Sequence, residues 1–428
     1  MSVSVTALAN GFRVISHHMP HLETTSLGVW VGAGTRSEDL RLNGISHLLE
    51  HMAFKGTARR TTRQIAEEIE SVGGELNAAT SLETTAYYAR VMKGDLALAV
   101  DLIADIVRDP RFDESELARE KEVILQEIAA AEDSPDDVAH DLAQDVAFPD
   151  QALGRPILGT PNSVGAFAPS DLTSYMMANY VPGSMVLAAA GGVDHGELVR
   201  LADTSFGDMA PAEAPVPSPA RYVGGSRHSG RPFEQAHMVL AFEGPSYHTD
   251  AMYAGQLLSS ILGGGMSSRL FQEAREARGL CYSIYSYAWG LSDSGLFGIH
   301  AATGPEQVSE LANVIWDELD RIADTAVGDE ELARAKAQLK CGLLMSLESS
   351  GSRAEQIARQ TLVFGAPRDL DELVDKVDSV DKESVRDLAG TIILSSRPSV
   401  SAVGLPDDGN MLESIVASRA PRPLRAAE

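Results

Sequence analysis

The apolar residues of this chain recur with two periods, and each period marks an element type. Asn10-Gly11 lies between Val3–Leu8 and Phe12–Ser16. That dipeptide tolerates the positive φ of a two-residue turn, so it predicts a hairpin. Thr25–Gly32 reads as a strand bounded by glycines. Leu76–Val91, rich in β-branched and aromatic residues, reads as a strand pair. Ile45–Phe54 and Thr61–Val72 read as helices, the second with Thr61 and Thr62 available as caps. Leu96, Val100, Ile103 and Val107 are spaced near 3.6 and predict a helix capped by Asp95. A long helix is predicted from about Glu114 to Ala131. Blocks of strands alternating with blocks of helices predict an α+β fold, helices packed on a mostly antiparallel sheet.

The pattern occurs twice. Glu116-Leu117-Ala118-Arg119-Glu120-Lys121 aligns with Glu331-Leu332-Ala333-Arg334-Ala335-Lys336, each after an acidic lead-in. The same offset of 215 sets Ser184–Ala188 on Ser399–Val403, and Leu27–Val31 resembles Met238–Phe242 at a slightly smaller one. Three matches in one order predict a duplicated domain. Residues 210–219, APAEAPVPSP, have the composition of a semi-rigid linker. The halves are placed at 1–210 and 220–428, joined by 211–219.

Composition narrows the function classes. Of 428 residues 44% are hydrophobic and 22% charged, as in globular proteins, so large cores are expected. A net charge of −26 argues against nucleic acid or anionic lipid as partner and is compatible with cationic peptides. Two cysteines, Cys281 and Cys341, form no disulfide framework, which fits a reducing compartment. The first twenty residues lack a secretory signal and the Arg-rich character of a transit peptide, and no apolar run is long enough for a membrane span. A bacterial cytoplasmic protein is expected, with the mitochondrial matrix as the alternative.

Residues 47–51 read His-Leu-Leu-Glu-His. On a helix His47 and His51 lie one turn apart, about 40° around the axis, so both imidazoles reach one divalent ion. Glu50 is on the same side and stands where a general base can approach the nucleophilic water without ligating. This is the inverted zincin motif. A third ligand is needed, and the long helix offers Glu120 and Glu127, two turns apart on one face. Under the repeat these positions become Ala335 and Gly342, and nothing near residues 257–266 resembles His-x-x-Glu-His. A polar constellation present in one copy alone points to function.

The segment His47–Thr57, HLLEHMAFKGT, resembles the active-site segment of the pitrilysin-type zinc metallopeptidases, nearest to the branch of mitochondrial processing peptidase beta subunits and their bacterial relatives. The resemblance covers nearly the whole chain. It implies one Zn2+ per chain on His47, His51 and Glu127, with Glu50 as catalytic base and Glu120 as a supporting acid. It implies that Asn77, Ala78, Ala79 and Thr80 form an edge strand to which a peptide substrate adds, and that Phe54 lines a pocket beyond the scissile bond. Arg275 and Tyr282, seven residues apart in the second half, resemble substrate-contacting residues of the larger relatives, with Arg278 as competitor for the arginine's role. Gly263-Gly264-Gly265 is too short to copy the glycine-rich loop of the processing peptidase's alpha subunit.

The resulting expectation is an endopeptidase for extended, basic peptides, enclosed in a chamber by a homodimer. The rivals are a catalytic subunit that needs a separate inactive partner, and a scaffold like the core proteins of the respiratory cytochrome complex.

Overall fold

A computed structural model describes residues 3–405 together with Leu412, Glu413, Ile415 and Val416. The chain forms two compact units, each an α+β assembly. The first has a six-stranded sheet: β1 (Val3–Ala7), β2 (Arg13–His18), β3 (Thr24–Val31), β4 (Glu75–Thr80), β5 (Thr85–Met92) and β6 (Met185–Gly191), in the spatial order β1-β2-β6-β3-β5-β4. The second has five strands: β7 (Gly225–Ser229), β8 (Ala236–Glu243), β9 (Cys281–Gly290), β10 (Gly295–Thr303) and β11 (Ser399–Val403), in the order β7-β11-β8-β10-β9. Each sheet has a single parallel pair, β2 with β6 and β7 with β11. The duplication therefore extends to sheet topology, with β1 added in the first copy.

The helices that carry the first unit are α1 (Ile45–Ala53), α2 (Thr62–Ser71), α3 (Leu96–Arg108) and most of α4 (Glu114–Glu132). Thr61 caps α2 through a reciprocal box with Gln64. Asp95 corrects one expectation: its side chain makes no capping bond, because residues Lys93–Asp95 form a 3₁₀ turn that feeds directly into α3.

Both faces of the first sheet are buried. Along β6, Met185, Leu187 and Ala189 enter the main core with α1 and α3, while Val186, Ala188 and Ala190 enter a second core on the opposite face. That is why β6 reads as a continuous apolar run rather than an alternating one. The second core is closed by the helix Ser350–Phe364 through Ala354, Ile357 and Ala358. The second unit mirrors this arrangement: α5 (Pro135–Ala147) covers the back of its sheet, with Ala139 and Ala143 against Val239, Ala241 and Val403.

These two helices are repeat equivalents. A shift of 215 residues carries the start of α4, Glu114, onto Asp329, and the start of α5, Pro135, onto Ser350. Each packs in the unit built mainly from the other half. The units are accordingly discontinuous: residues 130–155 belong to the second and 344–368 to the first. Residues 211–219 carry no helix or strand, and the units change over between Ser218 and Pro219. Among the described residues no helix is long and apolar enough to cross a membrane.

Ile357 is fully buried, so Ile357→Ala is expected to cost about 2–5 kcal/mol in urea unfolding. Glu355→Ala, on the exposed side of the same helix, should stay within about 0.5 kcal/mol. Equal effects would show that the helix does not seal the back of the sheet.

Candidate metal centre

Helix α1 has two faces. Ile45, Leu48, Leu49 and Met52 are buried in the core, at helical spacing. His47, Glu50 and His51 occupy the other side. The helix starts at Gly44, whose φ of 92° suits glycine, and an added Cβ would lie 2.7 Å from the Gly159 Cα. The buried Glu38 carboxylate accepts the N–H groups of Gly44 and Ser46, both at 2.8 Å, and so satisfies the helix N-terminus from outside. Burial pushes its pKa up to about 7 against the lowering effect of those bonds.

The long helix α4 brings both of its candidate carboxylates to α1. Glu127 Oε2 is 3.6 Å from His47 Nε2 and 3.7 Å from His51 Nε2. These separations are too long for hydrogen bonds. They approach the ~3.3 Å edge of a tetrahedron with zinc–ligand bonds near 2.0–2.1 Å. Glu127 Oε2 is buried with no hydrogen-bond partner among the protein atoms. An orphan anionic oxygen facing two imidazole nitrogens fits a divalent cation. His47 suits that role further: burial, aided by His51, lowers its pKa to about 4, so it is neutral and ready to ligate at physiological pH.

Glu120 is placed one step behind. Its buried carboxylate accepts from His51 Nδ1 at 3.0 Å and from Lys55 Nζ at 2.7 Å. Since a carboxylate only accepts, the Nδ1 carries the proton and the Nε2 lone pair faces Glu127. This is the outer carboxylate that orients a ligating histidine. Lys55 lies just after α1 in the His47–Thr57 segment, and its partner stands on α4, 65 residues further along the chain.

Glu50 accepts a hydrogen bond of 2.5 Å from Thr80 Oγ1 at the end of β4. Burial raises the Glu50 pKa, with the Thr80 hydroxyl and His51 opposing and Glu127 adding to the rise. Thr80, expected in the substrate strand, thus also touches the candidate base. β4 is an edge of its sheet, as the reading of residues 77–80 required. Asn77 and Ala79 are exposed on it, Ala78 is half-buried, and Asn77 Oδ1 accepts the Ala78 N–H at 2.8 Å. Phe54 follows α1 and packs at 6.4 Å from the buried Tyr87 ring.

Arg275 and Tyr282 lie in the second unit, with the Arg275 guanidinium 4.6 Å from the Phe271 ring and 5.3 Å from the largely exposed Tyr282 ring. Arg275 sits in a π-helical segment, Phe271–Glu276, a form enriched at functional positions. In the second copy the helix Asp329–Ser346 carries Ala335 and Gly342 where α4 carries Glu120 and Glu127, and the helix Ala251–Gly263 is apolar where α1 is polar.

Two family models match the chain. Residues 13–161 match the family model described as insulinase (peptidase family M16), and residues 166–339 match the peptidase M16 inactive domain. The chain is 39% identical over 412 residues to an uncharacterized zinc protease of Streptomyces coelicolor, covering 94% of this chain and 90% of that one. It is 37% identical over 381 residues to the uncharacterized zinc protease YmxG of Bacillus subtilis, covering 89% and 93%. The chain belongs to peptidase family M16, the metallopeptidase family that the His47–Thr57 segment resembles. Its fold is similar to that of a protease from Helicobacter pylori, with a TM-score of 0.87 at 20% identity over 94% of this chain and 99% of that one. It is also similar to a chain of Complex III2 from Candida albicans, with a TM-score of 0.85 at 24% identity over 97% and 100%.

Replacing Glu120 by Gln is expected to weaken metal binding about 10- to 100-fold with all three ligands kept, as measured by competition with a chelator. Unchanged affinity would remove Glu120 from the centre. Thr80→Val takes away a bond that favours the ionised Glu50, so the Glu50 titration followed by NMR should move further upward; a downward move would contradict the assignment.

Proposed function

We propose that the chain is a zinc-dependent endopeptidase acting on extended, basic peptides. One observation carries the reading: His47, His51 and Glu127 converge on one point while Glu50, outside that set, stands beside the edge strand β4. The likeness to both a protease and a Complex III2 chain shows the fold alone; the complete donor set favours the enzyme over the scaffold.

Zinc held by His47, His51 and Glu127 supplies Lewis-acid activation of a water nucleophile and of the peptide carbonyl. The chain's residues do the rest. A substrate pairs its backbone with β4 along Asn77–Thr80, displacing the Asn77 side chain from the Ala78 N–H. Phe54 contributes to the pocket beyond the scissile bond. Glu50 takes a proton from the attacking water and returns it to the leaving amine. Thr80 holds one oxygen of Glu50, leaving the other to move the proton. Glu120 and Lys55 keep His51 in the tautomer that ligates. Arg275 and Tyr282 are assigned to substrate contact; their mutual stacking holds a guanidinium and a phenol together at the surface of the second unit. The net charge of −26 favours cationic peptides. The assembly that fits this reading is a homodimer enclosing a chamber, with one zinc per chain, in the bacterial cytoplasm.

The test is cleavage of basic peptides by the purified chain alone, beside Glu50→Gln. Glu50→Gln should retain zinc and lose about 10²- to 10⁴-fold in rate. A wild type that binds zinc and cuts nothing points instead to a missing partner subunit, and a chain that binds none overturns the reading. Because burial raises the Glu50 pKa, the base form is lost at higher pH than for an ordinary glutamate. In the metal-free chain the Glu50 titration followed by NMR should therefore lie above about 4.3, the usual Glu value.

A further inference from the structure

We infer that the second unit, the copy without the His-x-x-Glu-His motif, holds a divalent transition-metal site of its own, formed by Asp136, His237 and His300. The back of its sheet is otherwise lined by small and apolar residues under α5: Ala139 and Ala143 meet Val239, Ala241 and Val403. At one end this lining turns polar. His237 lies on β8 and His300 on β10, two strands that pair directly, and Asp136 lies in the first turn of α5 above them. His300 Nε2 is 2.8 Å from Asp136 Oδ1 and 3.2 Å from His237 Nδ1, and His237 Nδ1 is 4.0 Å from the same carboxylate oxygen. The three separations bracket the ~3.3 Å edge expected around a four-coordinate ion with bonds of 2.0–2.1 Å.

His300 Nε2 stands within hydrogen-bond distance of both His237 Nδ1 and Asp136 Oδ1, so one N–H serves both contacts when no ion is bound, and a divalent ion would replace that single proton and take all three groups at once. Imidazole ligates metal through a ring-nitrogen lone pair, and His300 Nε2 and His237 Nδ1 both turn that position toward the same Asp136 oxygen. Two nitrogens and one oxygen select Zn2+, Co2+, Ni2+ or Cu2+ over Ca2+ and Mg2+. Access is open on the Asp136 side, whose side chain is 46% exposed, while His300 is only 2% exposed. Around the site, His140 stacks at 5.4 Å from His300 and meets the Tyr285 hydroxyl at 3.0 Å, so the rings are held in place by neighbours. With Asp136 on α5 and both histidines on the sheet, the ion would pin α5 to the strands beneath it.

The test uses the full chain with His47→Ala and His51→Ala, which removes the first donor set, titrated with Co2+ after removal of metal. One equivalent should bind with visible d–d bands, and binding should raise the thermal midpoint. The exposed Asp136→Asn, added to that background, should weaken Co2+ binding about 10-fold or more, and His237→Gln about 100-fold or more, with far-UV circular dichroism confirming the fold. The inference fails if the His47/His51 variant binds no Co2+, or if its binding is unchanged in Asp136→Asn. It is independent of the peptidase reading: a wild type that binds a single equivalent, retained without His47 and His51, would sink the first site and keep this one.

Discussion

The constraint on which this architecture depends is that each sheet carries buried apolar side chains on both faces and must be covered twice. β6 shows it most directly, since alternate residues enter different cores. Burial of apolar side chains drives the packing at roughly 25 cal/mol per Å², and a bare back face would forfeit that gain for Ile15, Trp30, Val186 and Ala188 together. Each half meets the constraint with a helix drawn from the other half of the chain. The front layer then becomes free to specialise. α1 spends one face on the core and presents the other to α4, which is how His47, Glu50 and His51 come to stand on a rigid support.

Charge is managed with equal economy at the metal centre. Three carboxylates, Glu50, Glu120 and Glu127, lie close to two imidazoles. Lys55 neutralises Glu120 directly. Glu127 and Glu50 repel one another, visible as the part of the Glu50 rise that Glu127 causes. A dication between Glu127 and the histidines would relieve that repulsion. The donor set is therefore most comfortable when loaded, and Glu50, tied to Thr80, keeps its place outside the ligand group.

Much of this was legible in the sequence. The hairpin at Asn10-Gly11, the strands and the first helices follow from local periodicity and turn chemistry, and lie where expected to within a residue or two. The two histidines were legible because a four-residue helical spacing sets both on one side of α1, whereas the seven-residue spacing in α4 left Glu120 and Glu127 as alternatives on one face and only the family resemblance chose between them. What was not legible depends on tertiary contact. The exchange of α5 and Ser350–Phe364 leaves no local mark, since Ala139, Ala143, Ala354 and Ala358 would look alike on any sheet. Lys55 and Glu38 find their partners 65 and 8 residues away with no periodic signal. Asp95 has the residue type of a cap and makes no capping bond, since it closes the 3₁₀ turn Lys93–Asp95 that runs directly into α3.

The exchanged helices also bear on how the chain is made. On a ribosome adding about 5–20 residues per second, the strands of the first sheet are all synthesised once Gly191 has emerged, yet the helix that seals their back face ends only at Phe364. For roughly 10–35 s the nascent chain carries a finished apolar surface with nothing to lay on it. Neither copy of the duplication can reach its native state as an independent product of synthesis. The molecule must be guarded as one newborn polypeptide until its last third has arrived.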